Sequence, residues 1–486
     1  MDVSDAPPIL LWFRLDLRLA DHAALATACS RRAPVIPVFI HDPDAERPWM
    51  PGPASRWWLG RSLQSLDGEL RKRGSRLILR HGDSLAALRA LAKETGAREV
   101  RFSRRYEPAV EARDARLTPR LEAVGLQVFR HEGNLLCPPE VHATRTGTPY
   151  KVFTPFWRGF ESLGAPHPPL EAPRRIPAPA RWPESASLAS PEVMGLLRAG
   201  EAEPGWAGRW NPGEPAASAA LERFVHENLE EYAGARDVPA DHGTSRLSPR
   251  FHFGEITPRQ AWHAACRAAA SIRSREAKAS AATFLKELGW REFAHHILVH
   301  FPWTADKPLR PGFERFPWRR DDRALKAWRE GRTGYPFVDA GMRELRHTGF
   351  MHNRARMAAA SFLVKDLMIP WQEGARWFWD RLVDADLAVN SLNWQWVAGC
   401  GADAAPYFRI FNPVTQGERF DPHGDYVRRW VPELAPAGSG WIHRPFEAAP
   451  PELRAAGIEP GRTYPDPLVD HGAAREGALA AFRSLR

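Results

Sequence analysis

The first 135 residues alternate short apolar runs with amphipathic helical patterns, and no other feature restricts the fold as strongly. Ile9 to Phe13, Val35 to Ile40, Leu77 to Leu79, Val100 to Phe102 and Val128 to Phe129 read as strands, because they are short, apolar and rich in β-branched or aromatic residues. Between the second and third of them, Leu59, Leu63, Leu66 and Leu70 recur at i, i+4, i+7 and i+11, one face of a helix. Strands separated by helices are joined as crossovers, so the expectation is an α/β domain with a parallel, Rossmann-like sheet. Yet the first strand runs into Arg14-Leu-Asp-Leu-Arg18, with no GxGxxG turn to let backbone approach a pyrophosphate. A dinucleotide is therefore expected elsewhere in the chain.

From about Gly164 to Pro215, Pro, Ala, Gly and Ser replace hydrophobic periodicity, which reads as a connector laid over the surface. Beyond it, segments around 217–232, 258–272, 276–300, 338–348, 352–367 and 373–389 carry helical patterns punctuated by Pro and Gly. The expected organisation is an α/β domain over 1–135, a linker over 136–215 and a large all-α domain over 216–486.

Composition narrows the partners. With 67 Lys and Arg against 58 Asp and Glu, the formal charge is +9, which suits an anionic partner and equally a solvated basic surface. Cys29, Cys137, Cys266 and Cys400 lie far apart without CxxC or His-rich spacing, which argues against a disulfide framework or a zinc site. The apolar start is cut short by Arg14 and Asp16, and no stretch has the length of a membrane span, so a cytoplasmic protein is expected. Twenty tryptophans, concentrated in the C-terminal half, exceed what core packing needs and point to planar ligands.

Several segments of the helical part carry chemistry. Gly243-Thr-Ser-Arg-Leu-Ser-Pro249 combines a flexible Gly, three hydroxyls and a guanidinium ahead of a helix, which suits a diphosphate or a plain N-cap. Glu287, Trp290 and Arg291 stand at i, i+3 and i+4, so a carboxylate, an indole and a guanidinium share one helical face, as a solvated ion-paired face also would. Asn353 and Arg356 lie one turn apart beside Met357, a pattern that surface capping also explains. Asp384 and Asp386 form a DxD pair ahead of Asn390, Trp394 and Trp396. No neighbouring oxygen ligands support a metal there, whereas Arg356 is available to neutralise one carboxylate.

Taken in order, Gly243-Thr-Ser-Arg-Leu-Ser248, Leu288-Gly-Trp-Arg-Glu-Phe293, Thr333-Gly-Tyr-Pro-Phe-Val-Asp339, Met351-His-Asn-Arg354, Asp384-Ala-Asp-Leu-Ala-Val-Asn390 and Ala405-Pro-Tyr-Phe-Arg-Ile-Phe-Asn-Pro413 resemble the photolyase/cryptochrome family, most closely its bacterial cyclobutane pyrimidine dimer photolyases. Trp12-Phe-Arg-Leu-Asp-Leu-Arg18 extends the resemblance to the N-terminus.

The resemblance implies an all-helical domain holding a U-shaped FAD. Tyr232 and Thr244, Ser245, Arg246, Leu247 and Ser248 would take its phosphates and ribityl chain. Phe284, Arg291, Asn353, Arg356, Asp384 and Asp386 would surround the sugar and isoalloxazine, with Asn390 facing the flavin N5. Phe284 stands where relatives often have Trp. The implied reaction is light-driven: the excited, reduced flavin gives an electron to a cyclobutane dimer flipped out of DNA, the ring opens, and the electron returns. Glu287 would hydrogen-bond the dimer carbonyls, and Trp290 and Trp396 would wall the lesion alongside Asn353 and Met357. Arg236, Arg354 and Arg409 would contact the DNA backbone. Trp318, Trp371 and Trp394 would relay electrons from the surface to oxidised flavin.

Two other readings compete, a cryptochrome-type blue-light photoreceptor and a (6-4) photolyase. Glu287, Trp290 and Met357 suit a repair pocket, and plant-type cryptochromes usually carry an acidic residue where Asn390 stands. A (6-4) enzyme needs a histidine pair to move a proton, whereas this chain has His352 and then Met357 in the second position. The family often carries an antenna chromophore, but Ala109 and Val110 replace the Asn-Glu pair of one folate-binding pattern. Trp57 and Trp58 suit stacking on methenyltetrahydrofolate or a deazaflavin and equally suit a core, so the antenna stays unassigned. Nothing in the sequence calls for an obligate protein partner, and a monomer acting on dimer-containing DNA is expected.

Overall fold

The computed structural model describes residues 6–187, 205–404 and 408–485. Its two compact units do not follow chain order. One comprises Met1–Tyr150, Thr154–Glu230 and Ser245–Pro302, the other Lys151–Phe153, Glu231–Thr244 and Trp303–Arg486.

The first unit contains the expected sheet. Strands β1 (Ile9–Phe13), β2 (Val35–His41), β3 (Ile78–His81), β4 (Glu99–Ser103) and β5 (Gln127–His131) pair in parallel in the order β3-β2-β1-β4-β5. Leu10 of β1 lies beside Ile36 on one side and Val100 on the other. Every residue of β1 and β2 is buried, as a parallel sheet covered on both faces requires. Helices α1 (Ala23–Ser30), α2 (Pro53–Arg71), α3 (Ser84–Thr95) and α4 (Pro108–Glu122) alternate with the strands. Leu88 and Leu91 of α3 and Leu117 and Leu121 of α4 join Leu10, Trp12, Ile36, Val38, Val100 and Phe102 in one core. The Leu59, Leu63, Leu66 and Leu70 face of α2 is buried too, and each such side chain stabilises the fold by about 2 kcal/mol.

Charge in the turn after β1 is consumed internally. Arg14 pairs with Asp114 at 2.5 Å, and Arg18 donates to Asn134 Oδ1 at 2.6 Å and to the Gly254 carbonyl at 3.0 Å. Helices α5 (Phe153–Glu161), α6 (Glu214–Glu227), α7 (Pro258–Ser271) and α8 (Arg275–His300) follow. The stretch 136–215 thus includes a helix that its composition does not announce, and residues 188–204 of it lie outside the described residues. A capping box between Thr257 and Gln260 starts α7, and the Ser274 side chain, accepting from Ala277 N, starts α8.

The second unit is helical: α9 (Asp322–Glu330), α10 (Pro336–Thr348), α11 (Asn353–Ser361), α12 (Trp371–Arg381), α13 (Leu387–Ala398), α14 (Pro413–Phe420), α15 (Asp425–Trp430) and α16 (His471–Arg483), with short turns between. The segment 352–367 is helical as expected, α11 followed by a π-helical turn at Phe362–Asp366. One expectation needs correction. The segment 373–389 is two helices, because the chain leaves α12 at Leu382 and Asp386 caps α13 by accepting from Val389 N. Among the described residues no helix is long and apolar enough to cross a membrane.

Candidate functional site

In the first unit, α8 carries Phe284, Glu287, Trp290 and Arg291. Phe284 is buried against the Phe224 ring, with centroids 4.7 Å apart. Glu287, Trp290 and Arg291 are half-buried on the face that their spacing predicts. Trp290 packs edge-on against Phe293, and Arg291 Nη1 donates to the Asn134 carbonyl at 2.7 Å. Next to them, Glu292 points into the interior. Its Oε2 accepts from Leu136 N and Cys137 N, while Oε1 has no hydrogen-bond partner among the described residues. Burial raises this carboxyl to about 7, against the opposing pull of Arg291 and the two N–H groups.

The hydroxyl-rich segment ends in this unit as well. Leu247, not a Ser or Thr, is the N-cap residue of the short helix Ser248–His252, and no side chain caps it. Ser245 Oγ instead accepts from Leu247 N at 3.4 Å, and Arg246 holds a left-handed backbone (φ 49°) with its guanidinium 6.0 Å from the Trp210 ring. Simple N-capping is therefore not what these hydroxyls do.

The second unit holds the other candidates. Tyr232 is buried in the short helix Tyr232–Ala235, with the Arg236 guanidinium 5.4 Å from its ring centroid. A Cβ on Gly243, next to half-buried Thr244, would meet the Ala235 carbonyl oxygen at 2.5 Å, so backbone packs on backbone where only glycine fits. Arg356 Nη2 reaches both oxygens of Asp384, at 3.0 and 2.9 Å, and its Nε donates to the Met351 carbonyl. Asn353 is exposed at the start of α11, and its Nδ2 lies 3.9 Å from Met357 Sδ. Asn390 donates through Nδ2 to the Ala375 carbonyl at 3.0 Å, which leaves Oδ1 as the acceptor. His352 caps α11, and burial lowers its imidazole to about 4, so it stays neutral near pH 7.

The candidate relay lies in this unit. Trp394 and Trp371 are buried and Trp318 is half-buried. A Cβ on Gly374 would lie 2.0 Å from Trp394 Cη2, so the Trp394 indole rests on α12 one turn from Trp371. Arg319, beside Trp318, donates its backbone N–H to Met368 O, three residues before Trp371. Trp396 is half-buried and stacks with Phe411 at 6.5 Å.

Among the candidate phosphate contacts, Arg409 is exposed. Arg354 is engaged by Asp237, at 2.9 and 2.6 Å, and lies 4.5 Å from the Phe420 ring. Residues 405–407, the start of the last motif, lie outside the described residues.

Sequence reasoning missed Asn134, Glu292 and Asp237, which hold or adjoin the candidate arginines. Asn134 is 157 residues from Arg291 and Asp237 is 117 from Arg354, so no local pattern announces them. Glu292 was inside a quoted motif and showed no sign of being buried. Among the described residues no three metal-ligating side chains converge. Burial pushes the Cys29 and Cys137 thiols up to about 11 and Cys400 to about 12, which makes them poor nucleophiles.

The chain matches the family model described as DNA photolyase over residues 9–177 and the one described as FAD binding domain of DNA photolyase over 284–484. It is 47% identical to the deoxyribodipyrimidine photo-lyase of Agrobacterium fabrum, covering 99% of this chain and 98% of the relative. Cryptochrome-1 of Arabidopsis thaliana is 40% identical over 95% of this chain and 68% of its own length. A bacterial class III photolyase structure from Agrobacterium tumefaciens superposes with a TM-score of 0.93 at 47% identity, covering 99% of this chain and 98% of that one.

Proposed function

The chain belongs to the DNA photolyase family, and from that premise we propose a flavin-dependent lyase that uses light to split cyclobutane pyrimidine dimers in DNA. One observation carries the reading: a carboxylate, an indole and a guanidinium share a half-buried face of α8, in a chain matched end to end by a deoxyribodipyrimidine photo-lyase.

The donor set fits FAD. Ser245 and Ser248 supply hydroxyls and Arg246 supplies a cation for a diphosphate, just after Gly243, which packs on the Ala235 backbone. Tyr232, Thr244 and Leu247 would complete that group, and Phe284, Arg291, Asn353, Arg356, Asp384 and Asp386 would hold the sugar and ring. Asn390 would face the flavin N5, and with Nδ2 directed at the Ala375 carbonyl its Oδ1 is available as the acceptor. Bound FAD, reduced and excited by blue light, supplies one electron to the lesion and recovers it after the ring opens.

The protein's part is electrostatic and steric. Glu287 hydrogen-bonds the dimer carbonyl as negative charge develops there. Trp290 and Trp396 wall the extruded lesion, each stacking contact contributing about 1–3 kcal/mol. Asn353 and Met357 would contact the lesion. Arg236, Arg354 and Arg409 bind phosphates and set affinity without reading sequence. Trp318, Trp371 and Trp394 would relay electrons to oxidised flavin from an external reductant, such as a solution thiol, at the surface.

Met357 and a neutral, buried His352 speak against proton shuttling on a (6-4) lesion, and Asn390 speaks against the cryptochrome alternative. We read 1–135 as the antenna-type domain, 136–215 as linker and 216–486 as the FAD-binding domain. The antenna, methenyltetrahydrofolate or a deazaflavin, stays unassigned. The enzyme acts in the cytoplasm as a monomer. The test is repair of a thymine-dimer oligonucleotide by reduced holoprotein in blue light and in darkness. Recovery of thymine absorbance only in light is expected, and none in either condition with reduced FAD bound would sink the reading.

A further inference from the structure

Four tryptophans of the first unit form a continuous array outside the residues assigned above. Trp206 lies 5.1 Å from Trp57, Trp57 lies 6.3 Å from Trp58, and Trp58 lies 5.3 Å from Trp210, measured between ring centroids. Trp57 and Trp58 are adjacent on α2 and buried, whereas Trp206 and Trp210 come from the segment before α6 and are half-buried. The sequence left Trp57 and Trp58 open between a planar ligand and a core; here indoles occupy the rings' neighbourhood.

A buried hydrogen-bond network orients one indole of the array. Trp58 Nε1 donates to Glu255 Oε1 at 2.8 Å, and the same oxygen accepts from Ser62 Oγ at 2.5 Å and Gly213 N at 2.6 Å. The other Glu255 oxygen takes Arg250 Nη1 at 3.3 Å. Trp58 is thus held by a hydrogen bond as well as lying between two indoles, and Trp57 lies between Trp206 and Trp58. Two guanidiniums then make the four sites unequal: Arg250 lies 5.8 Å from the Trp58 ring and Arg246 lies 6.0 Å from Trp210. A nearby cation shifts the energy of an indole excited state, so Trp58 and Trp210 differ from Trp57 and Trp206. Arg246 also belongs to the hydroxyl-rich segment assigned to the cofactor, which places the array's Trp210 end at that segment.

Dipolar coupling falls with the cube of separation, so rings at these distances exchange excitation far faster than an isolated indole emits. We propose that Trp206, Trp57, Trp58 and Trp210 are an ultraviolet collector that passes excitation through Trp210 to bound flavin, adding to the ultraviolet light that flavin absorbs directly. The proposal rests on the flavoenzyme reading. No bond changes and no electron moves in the transfer itself.

The experiment uses reduced holoprotein and compares dimer repair per absorbed photon at the red edge of tryptophan absorption with repair in the flavin's own near-ultraviolet band. The flavin emission excited through tryptophan is recorded on the same samples. The four residues are one fifth of the chain's 20 tryptophans. Changing all four to Phe is expected to remove well over one fifth of the tryptophan-excited repair and flavin emission while leaving flavin-excited repair unchanged. A loss of one fifth or less, with flavin-excited repair intact, overturns the collector. Should the fourfold variant fail to fold, Trp206→Phe and Trp210→Phe serve singly, each expected to remove well over one twentieth, against exposed Trp303→Phe as control. Absent repair in the flavin band of the wild type would instead refute the repair reading, and the emission measurement would still decide the collector.

Discussion

Arg356 and Asp384 meet in a bifurcated ion pair, one guanidinium nitrogen reaching both carboxylate oxygens, with the Asp384 side chain 4% exposed and the Arg356 side chain 24% exposed. It joins the start of α11 to the turn that breaks the chain between α12 and α13. It thereby places Asn353 and Met357 on one element and Asp386 and Asn390 on another.

Removing the cation should therefore cost both stability and cofactor. Arg356→Ala removes the guanidinium that reaches both oxygens of a buried carboxylate, at about 3 kcal/mol. The urea midpoint is expected to fall and the FAD content of the purified protein to drop. A variant with full FAD occupancy and an unchanged midpoint would refute this assignment.

Glu287→Ala should separate chemistry from binding. FAD content is expected to stay normal while repair yield drops about tenfold, the worth of one hydrogen bond to a charged group. Full repair in that variant would remove Glu287 from the mechanism.

Glu292 should make stability depend on pH. Its folded carboxyl holds a proton up to about 7, against an ordinary value of 4.5. Between those values the native state binds more protons than the unfolded chain, so stability falls as pH rises. The contribution is complete below about 4.5 and lost above about 7, on the order of 3 kcal/mol. Glu292→Gln keeps an oxygen for Leu136 N and Cys137 N, and should flatten the pH profile of the urea midpoint across that window. An unaltered slope would show Glu292 to be ionised.

Trp394→Phe should block photoreduction of oxidised flavin, followed by bleaching of its absorbance. Repair by chemically reduced protein should be retained. Gly374→Ala, whose Cβ would strike the Trp394 ring, should slow photoreduction with the relay residues intact. Normal photoreduction in Trp394→Phe would exclude the relay.

Arg409 and Arg354 should differ in their effect on DNA. Arg409→Ala is expected to lower the slope of log K against log salt by about 1. Arg354→Ala should lower it less, because Asp237 already neutralises that guanidinium. Equal slopes in titrations of both variants would contradict the difference.

The sequence alone determined the five strands, the apolar face of α2 and the spacing that puts Glu287, Trp290 and Arg291 on one side of α8. Each of these is a short apolar run or a 3.6-residue period and is set within a few turns of chain. It also carried the ordered motifs that identify the family. Tertiary structure alone decided which partner each polar group takes. Arg291 binds the carbonyl of Asn134, Arg354 turns to Asp237, and Asn390 spends its amide on Ala375. It likewise decided that Trp57 and Trp58 face other indoles and that a patterned segment breaks at Leu382. A hydrogen bond needs its acceptor within about 3 Å, and approaches that close between residues 15 to 157 positions apart are fixed by packing, not by any local run of sequence.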